Sequence, residues 1–293
     1  MQRILNHQNS SGLFPTIGRK GDSKRTLESV YLHSFVLEYL IDNHSSTDRD
    51  SIQKGLDFLL AQAIEYDGRL VWQWLKNPPT TLDYHPPDTD DTIRARLIIE
   101  KAQEKGFRIP ERFRSFDYGD FFEPLRTPGG AVLTYMGGSQ NNVCPEVNAN
   151  VLHALTAIER GNPIREGIRN YLTKTVNSGY LSRGNFKKQS KYFMSPYFLA
   201  YVLSKIFDKD PGCFSSRTKR NILDLATNNA PGDELEKAWY SITARNCGSG
   251  KSSRTDVSFD DVPIFHAKSL REVYSSPVAT GVFCLESNLP KEL

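Results

Sequence analysis

The chain has little of what marks zinc-binding or disulfide-linked proteins. Its 293 residues contain only four cysteines, and no two stand at the Cys-x-x-Cys spacing of zinc ribbons and thioredoxin-like sites. A disulfide framework is also unexpected in a chain this long with so few cysteines. We therefore interpret the cysteines as reduced thiols of a cytoplasmic protein, packed as small apolar side chains: Cys144, Cys213, Cys247 and Cys284.

Long apolar runs are also absent. The first 25 residues are polar and contain no apolar segment of the kind that a signal peptide needs. Residues 192–207 form the longest apolar stretch, but Pro196 and Lys205 interrupt it, so we expect no transmembrane segment. The net charge of +3 at pH 7 is small for this length, and nucleic acid is not expected as a partner.

Helical periodicity dominates the sequence. Apolar positions at helical spacing predict helices over residues 26–43, 51–65, 91–106, 146–160, 164–176, 196–207, 217–228, 233–244 and 277–286. Most of them pair as helical hairpins, with a loose repeat of roughly fifty residues. We predict an all-α fold, an α/α barrel (toroid) of about six helical hairpins that forms a single domain over residues 1–293. Stacking as an open solenoid is the alternative, and ring closure is favoured because six hairpins are few for a solenoid.

An acidic motif precedes the third predicted helix. It reads Asp88-Thr89-Asp90-Asp91-Thr92 and follows two prolines. Three carboxylates in four positions repel one another, and burial increases the repulsion. Such a cluster is tolerated if it binds a cation, holds protons or is solvated. Helix capping is the plainer alternative, since aspartate is a good N-cap and acidic residues suit the first helical turn.

The motif resembles the Asp-x-Asp-Asp-Thr motif of class II isoprenoid cyclases, which include squalene–hopene cyclases and class II diterpene cyclases. Residues 145–155, Pro-Glu-Val-Asn-Ala-Asn-Val-Leu-His-Ala-Leu, are similar to a repeat helix of the same superfamily of α/α toroids. The hairpin pattern extends the resemblance over most of the chain. It implies that Asp90 is the general acid that protonates an alkene or epoxide, with Asp88 and Asp91 in support.

The chemistry of such a site favours particular neighbours. Burial keeps an aspartate protonated, a helix N-terminus stabilises its conjugate base, and aromatic faces stabilise a carbocation without reacting. In the resembling family a histidine or asparagine often bonds to the catalytic aspartate, and His33 and His153 are further candidates for that role. We expect the substrate-binding wall to include residues near helix starts and loops: Trp72, Trp74, Tyr84, Tyr192, Phe193, Tyr197, Asn148 and His85.

These features predict protonation-initiated cyclisation of a linear isoprenoid, which could be a polyprenyl diphosphate. No cofactor or metal is expected, apart from Mg²⁺ if the substrate is a diphosphate. Class II cyclases generally place the site between two barrels, so a homo-oligomer or a partner barrel is left open. A basic run, residues 183–191, could hold a diphosphate or be a solvated loop. Two alternatives are a non-catalytic isoprenoid- or lipid-binding or scaffold toroid, and an α/α-barrel glycosidase with two interior carboxylates.

Overall fold

The computed structural model describes residues 2–75, 86–137, 142–158, 162–225, 229–249, 256–257, 259, 262–267 and 272–289. The helices are α1 Gln2–Leu5, α2 Val30–Asn43, α3 Arg49–Ala61, α4 Thr89–Glu104, α5 Tyr118–Phe122, α6 Pro145–Ile158, α7 Ile164–Asn177, α8 Arg183–Gln189, α9 Pro196–Lys209, α10 Ser216–Leu223, α11 Glu234–Asn246 and α12 Pro277–Ser287. The strands are β1 Thr16–Lys20, β2 Ser23–Leu27, β3 Ile64–Tyr66, β4 Arg69–Val71, β5 Pro263–Ala267 and β6 Glu272–Ser275.

Six helices form a closed inner ring. Each packs against the next in the order α2, α4, α6, α9, α11 and α12, and α12 packs back against α2. The helices run in the same direction, because residues near the C-terminal ends of all six line one cavity: Asn43, Glu104, Ile158, Lys209, Asn246 and Glu286. The predicted α/α ring is therefore confirmed, and α4 is one of its inner helices. All six N-termini share one mouth of the barrel.

The outer layer is less regular than the ring. Helix α3 packs against α2, α7 against α6, and α10 against α7. The outer side of α4 is covered by an irregular segment instead, in which the backbone carbonyl of Phe113 accepts a hydrogen bond of 2.7 Å from Arg96 on α4. All four cysteines are free and buried. Within the described ranges, no helix is long and apolar enough to cross a membrane.

Local signals fix where the inner helices begin. Four of the six start with a side-chain N-cap, in which Asp88, Ser195, Asp233 or Ser276 accepts a backbone N–H of the first turn. Proline opens α6, α9 and α12, where its missing N–H is no loss. These short-range signals explain why the helical spans are close to those that the periodicity predicts.

A four-stranded antiparallel sheet, in the order β2-β1-β6-β5, was not predicted from the sequence. Strand β2 leads into α2 and β6 leads into α12, and Ile17 of β1 lies opposite Ser275 of β6. The sheet therefore lies where the ring closes. The first predicted helix, residues 26–43, begins at Val30 because the residues before it belong to β2 and the turn that follows.

Two glycines join a mouth loop to the outer layer. Gly130 has a φ of +83°, in the left-handed region that favours glycine. A Cβ atom placed on Gly167 of α7 would lie 2.5 Å from the carbonyl oxygen of Gly130 and 2.8 Å from its Cα. Both of these are backbone atoms, so the added methyl group could be accommodated only if the loop or the helix backbone moved. The contact fixes the loop that carries residues 131–137 to the barrel.

We expect Gly167→Ala to destabilise the protein by about 1–3 kcal/mol, because the methyl group overpacks a backbone-to-backbone contact. Urea or thermal unfolding measures the loss. Gly184→Ala on α8 is the matched control, since a Cβ there meets nothing within 4 Å. It should be neutral or slightly stabilising. Equal effects of the two substitutions would contradict the role given to the contact.

Candidate functional site

The acidic motif opens α4 at the N-terminal mouth of the ring. Asp88 is the N-cap, and its Oδ1 accepts the backbone N–H of Asp90 at 2.7 Å. Asp90 and Asp91 follow in the first turn, and only 5% and 3% of their surfaces are exposed. Within the described part of the chain, no hydrogen-bond donor reaches Oδ1 of either residue. Capping therefore accounts for one carboxyl group of the three.

Asp90 lies in the interior, near side chains from two neighbouring inner helices. Asn150 of α6 donates a hydrogen bond of 2.9 Å to the hydroxyl oxygen of Tyr31 of α2. Burial and the neighbouring Asp88 hold the pKa of Asp90 well above its ordinary value. Arg94 and hydrogen bonding from Asn150 and Tyr31 oppose this rise in pKa. Burial thus favours the protonated acid, while the groups that would stabilise its anion are already in place.

The other two carboxyl groups are shifted in the same direction. Burial raises the pKa of Asp88 to about 7, although the backbone N–H groups of Asp90 and Asp91 oppose the rise. The pKa of Asp91 is raised well above its ordinary value by burial first, and then by Asp88 and Asp90. In the described ranges, no group of three or more histidine, cysteine or acidic side chains could hold a metal ion. Proton retention is therefore the explanation of the cluster that the electrostatics favour.

Aromatic rings fill the middle of the barrel. Phe35 of α2 lies 5.9 Å from Phe198 of α9 and 5.6 Å from Phe283 of α12, and Phe193 stacks on Phe198 at 4.4 Å. Because α2 and α9 lie on opposite sides of the ring, these contacts cross its axis. We call this cluster the aromatic plug: Tyr31, Phe35, Phe193, Phe198, Tyr201, Trp239 and Phe283. The plug leaves the N-terminal mouth as the side from which a molecule would reach Asp90.

Three of the predicted wall residues lie at this mouth or in the plug. Phe193 contacts Tyr31 with ring centres 6.0 Å apart. The hydroxyl of Tyr192 accepts a hydrogen bond of 3.0 Å from Tyr135, which forms a β-bridge with Asp88. Trp74 packs edge-on against Tyr274 at 4.5 Å, and its carbonyl accepts the N–H that opens α2.

Three others take part in packing away from the acid. The indole N–H of Trp72 donates to the carbonyl of Leu59 on the outer helix α3 at 2.8 Å. Tyr197 donates its hydroxyl to the carbonyl of Asn229. The side-chain amide of Asn148 accepts a hydrogen bond from the N–H of Val132 and donates one to its carbonyl, at 2.9 Å each. The remaining two, Tyr84 and His85, lie outside the described residues.

Sequence reasoning missed Asn150, Tyr31 and Arg94. Asn150 lies two residues after Asn148, and two residues turn a helix by roughly 200°, so the two amides face different sides of α6. Arg94 lies four residues after Asp90, on the same face of α4. That i+4 spacing was visible in the sequence and could have identified Arg94 as a neighbour of the acid. Tyr31 carried no comparable signal.

The two histidine candidates also lie apart from Asp90. The ring of His33 accepts a hydrogen bond from the N–H of Phe14 and donates one to the carbonyl of Gly55. Both ring nitrogens are therefore hydrogen-bonded on the outer side of α2. Burial lowers its pKa to about 4. His153 faces a polar cavity of about 730 Å³ at the C-terminal mouth, and burial lowers its pKa to about 3. Charged residues that line this cavity include Glu38, Asp42, Lys101, Lys205 and Glu286.

The basic run, residues 183–191, was predicted either to hold a diphosphate or to be a solvated loop. Most of it forms a short helix instead of a loop. Residues 183–189 form α8, and Arg183 at its start bonds to Glu236 and to the carbonyl of Ala230. Lys187, Lys188 and Lys191 are exposed. The arginine therefore joins α8 to the start of α11 while 41% of its side chain stays exposed, and the lysines face solvent.

Comparisons with known proteins bear on the fold. No protein-family model and no curated protein matches the chain. Among solved structures, the type II terpene cyclase MstE from Scytonema, in its apo form, is similar over 97% of this chain and 94% of its own, with a TM-score of 0.59 and 11% identity. A variant of MstE in complex with merosterolic acid A, the product, is similar over 97% and 93%, with a TM-score of 0.53 and 12% identity. The chain therefore has the fold of a type II terpene cyclase, as the resemblance predicted.

The raised pKa of Asp88 has a consequence for stability. A carboxyl group with a folded-state pKa near 7 stabilises the fold below its ordinary pKa of 3.8, and this contribution is lost as the pH rises through 7. Asp88→Asn keeps an acceptor for the N–H of Asp90 but has no proton to lose. We therefore expect the variant to gain stability relative to wild type between pH 4 and pH 8. Because Asp88 is partly exposed, we expect a gain of about 1–3 kcal/mol.

Urea unfolding of both proteins across this pH range tests the expectation. Asp117→Asn is the matched control, since Asp117 is an N-cap with an exposed side chain. It should show a smaller dependence on pH because water solvates its charge. A constant difference between wild type and Asp88→Asn from pH 4 to pH 8 would contradict the burial of the acidic motif.

Proposed function

We propose that the chain is a class II cyclase, which starts the cyclisation of a linear isoprenoid by protonating it, with Asp90 as the general acid. One observation carries the proposal. Asp90 is a buried carboxyl group whose pKa is raised by burial and by Asp88, and Tyr31, Asn150 and Arg94 stand where they favour its anion. Protonating an alkene requires both properties, because the acid must hold its proton until the substrate arrives and must then release it.

The proposed first step moves one proton. The π electrons of a terminal double bond form a C–H bond with the proton of Asp90, the O–H bond breaks, and the carboxyl group becomes a carboxylate. The positive charge then lies on the more substituted carbon, which the next double bond of the chain attacks to close a ring. Loss of a proton or addition of water ends the reaction, and Asp90 regains a proton from water. For an epoxide, the same acid would protonate the oxygen.

The surroundings of Asp90 suit the cation that this step creates. The ring of Tyr31, whose hydroxyl acts on the acid, contacts the ring of Phe193, and aromatic faces attract positive charge without donating electrons in a bond. The packed plug beneath them excludes water, which would otherwise intercept the cation. Asp88 supports the acid, because its proximity raises the pKa of Asp90. Asp91 is proposed as a second support, and its own pKa is raised by burial, Asp88 and Asp90.

The proposal extends to substrate, cofactor and location. The substrate is an isoprenoid or a polyprenyl diphosphate, and Mg²⁺ would be needed only for the diphosphate. Proton transfer itself requires no metal. We place the enzyme in the cytoplasm. A homo-oligomer or partner barrel stays a prediction, but MstE, a type II terpene cyclase, is similar over 94% of its own chain. A barrel of this size is therefore compatible with the activity.

A toroid that binds an isoprenoid or lipid without catalysis, or that scaffolds a partner, is the second candidate. The plug favours the scaffold form, since rings in contact across the axis fill the centre of the barrel. The glycosidase alternative is less compatible with the site, because its carboxyl groups belong to one turn of one helix and adjoin aromatic rings. A glycosidase places two carboxyl groups on opposite sides of a sugar.

We expect Asp90→Asn to lower kcat by about 10²–10⁴-fold, because the amide keeps the shape of the side chain but has no acidic proton. Substrate binding and the fold should be nearly unchanged. Asp88→Asn should lower kcat less, since its carboxyl group acts on the acid and not on the substrate. The assay is product formation from farnesyl diphosphate, geranylgeranyl diphosphate and squalene-type substrates, with and without Mg²⁺.

Asp120→Asn is the matched control for this test. Asp120 lies on α5 with 63% of its side chain exposed, so its variant should turn over like wild type. Equal turnover by wild type and Asp90→Asn would refute the mechanism. Binding of the substrates without turnover by wild type would favour the isoprenoid-binding toroid.

A further inference from the structure

Helix α4 carries two arginines that are almost completely buried, and they face opposite ways. Arg94 and Arg96 each expose only 1% of their surface. Arg96 points outward, to the carbonyl of Phe113. Arg94 points into the barrel, where its Nη2 lies 2.8 Å from Oε2 of Glu38 and its Cζ lies 3.8 Å from the centre of the Phe35 ring. Burying a permanent cation inside a barrel costs much free energy unless an anion pairs with it. Glu38 is therefore what allows Arg94 to be buried there.

The pair is the inner end of a longer chain of charges. The other carboxylate oxygen of Glu38 lies 3.1 Å from the ammonium group of Lys101, and that group lies 2.6 Å from the carboxylate of Asp42. Asp42 lines the polar cavity at the C-terminal mouth. Charges of alternating sign therefore run along the barrel, in the order Arg94, Glu38, Lys101 and Asp42. Arg94, the positive end of this chain of charges, is the member nearest the acidic motif.

Arg94 is placed to act on Asp90 through charge. The two residues are four positions apart on α4, so they lie one turn apart on the same face of the helix. The guanidinium bonds to Glu38 and to the hydroxyl of Ser34. At a separation of one helical turn in a medium of low polarity, a full positive charge still stabilises a carboxylate appreciably. Glu38 weakens this effect, because its negative charge lies just behind the guanidinium.

We propose that Arg94 sets the acid strength of Asp90, and that Glu38, held in turn by Lys101, limits the effect of Arg94. Arg94 is thus a positioning residue and not a catalytic one. The catalytic meaning of this inference rests on the proposed function. Without Arg94, the anion left by proton transfer would be unstable and the acid weak. With Arg94 unopposed, Asp90 would lose its proton before a substrate arrived.

Other titratable groups also act on the two side chains. Those that act on Asp90 or Arg94 come from the acidic motif, α2, α9 and α6: Asp88, Asp91, Tyr31, Tyr201 and His153. Lys205 of α9 acts on Glu38. The variants below leave all of them in place. A displaced titration of Asp90 is therefore attributable to the charge that is removed.

The test is the titration of the Asp90 carboxyl group in the substrate-free protein. It is monitored by ¹³C NMR of labelled aspartate, and the signal of Asp90 is assigned by its loss in Asp90→Asn. Arg94→Met should raise the pKa of Asp90 by about one pH unit, because a stabilising charge is lost. Glu38→Gln should lower it, because Arg94 is then unopposed. Lys101→Met should raise it by less than Arg94→Met does, because the full charge of Glu38 then offsets Arg94. Arg96→Met is the matched control and should leave the titration unchanged.

The pH profile of turnover should shift in the same directions as the pKa of Asp90. Activity requires protonated Asp90, so it is present below the pKa and is lost as the pH rises through it. The alkaline limb of kcat/KM should move to higher pH in Arg94→Met and to lower pH in Glu38→Gln. At pH values well below the limb, Arg94→Met should still have a lower kcat than wild type, because the anion that it forms is less stable.

A double variant keeps the inference testable if a single one fails to fold. Arg94→Met with Glu38→Met removes both charges, and apolar replacement of a whole buried pair is often tolerated. It should titrate above wild type. The inference is overturned if Asp90 titrates alike in wild type, Arg94→Met and the double variant, or if Arg94→Met and Glu38→Gln move it in the same direction.

The substrate-free titration also separates this inference from the proposed function. The predicted shifts in a protein that turns over none of the substrates would support the role of Arg94 and contradict the cyclase. Turnover that Asp90→Asn abolishes, together with a titration that no charge variant moves, would support the cyclase and overturn the role of Arg94.

Discussion

The contact between α12 and α2 is the constraint on which the rest of the molecule depends. Each inner helix buries one face against its neighbours, and the ring leaves no inner face uncovered only when the last helix meets the first. The sheet secures this contact, since β1 pairs with β6 directly before α12 and the hydroxyl of Ser276 donates to the carbonyl of Pro15 at 3.1 Å. Closure makes the interior dry, and a dry interior is what raises the pKa of the acids at the mouth.

A closed ring also forces polar groups inside it to be paired or neutral. The two halves of the barrel meet this demand differently. At the N-terminal mouth, burial raises the pKa of Asp90 and Asp91 and so favours their neutral forms. Towards the C-terminal mouth, Glu38 lies between Lys101 and Arg94, which keep its pKa well below the ordinary value. The aromatic plug separates the acidic motif at one end from ion pairs and a polar cavity at the other.

The sequence was sufficient for features that depend on near neighbours. Helix positions follow from periodicity, and a capping role for an aspartate of the acidic motif follows from preferences within a few residues. The sheet could not be predicted, because β1 and β6 come from opposite ends of the chain and each is only four or five residues long. Which side chains face the acid was also out of reach. Asn148 and Asn150 are equally polar neighbours in sequence, and only the packing of α6 against α4 decides between them.

Closure between helices at opposite ends of the sequence also governs how the protein reaches this state. Hairpins such as α2–α3 and α6–α7 join residues close in the chain and form early, whereas α12 can meet α2 only after nearly the whole chain has been ordered. Until that contact forms, the rings of the plug line an open concave surface that water wets. A chain in which this contact has not formed would expose the aromatic side chains of the plug, and exposed apolar surface promotes aggregation during folding. Prompt closure of the ring therefore protects the chain as well as ordering it.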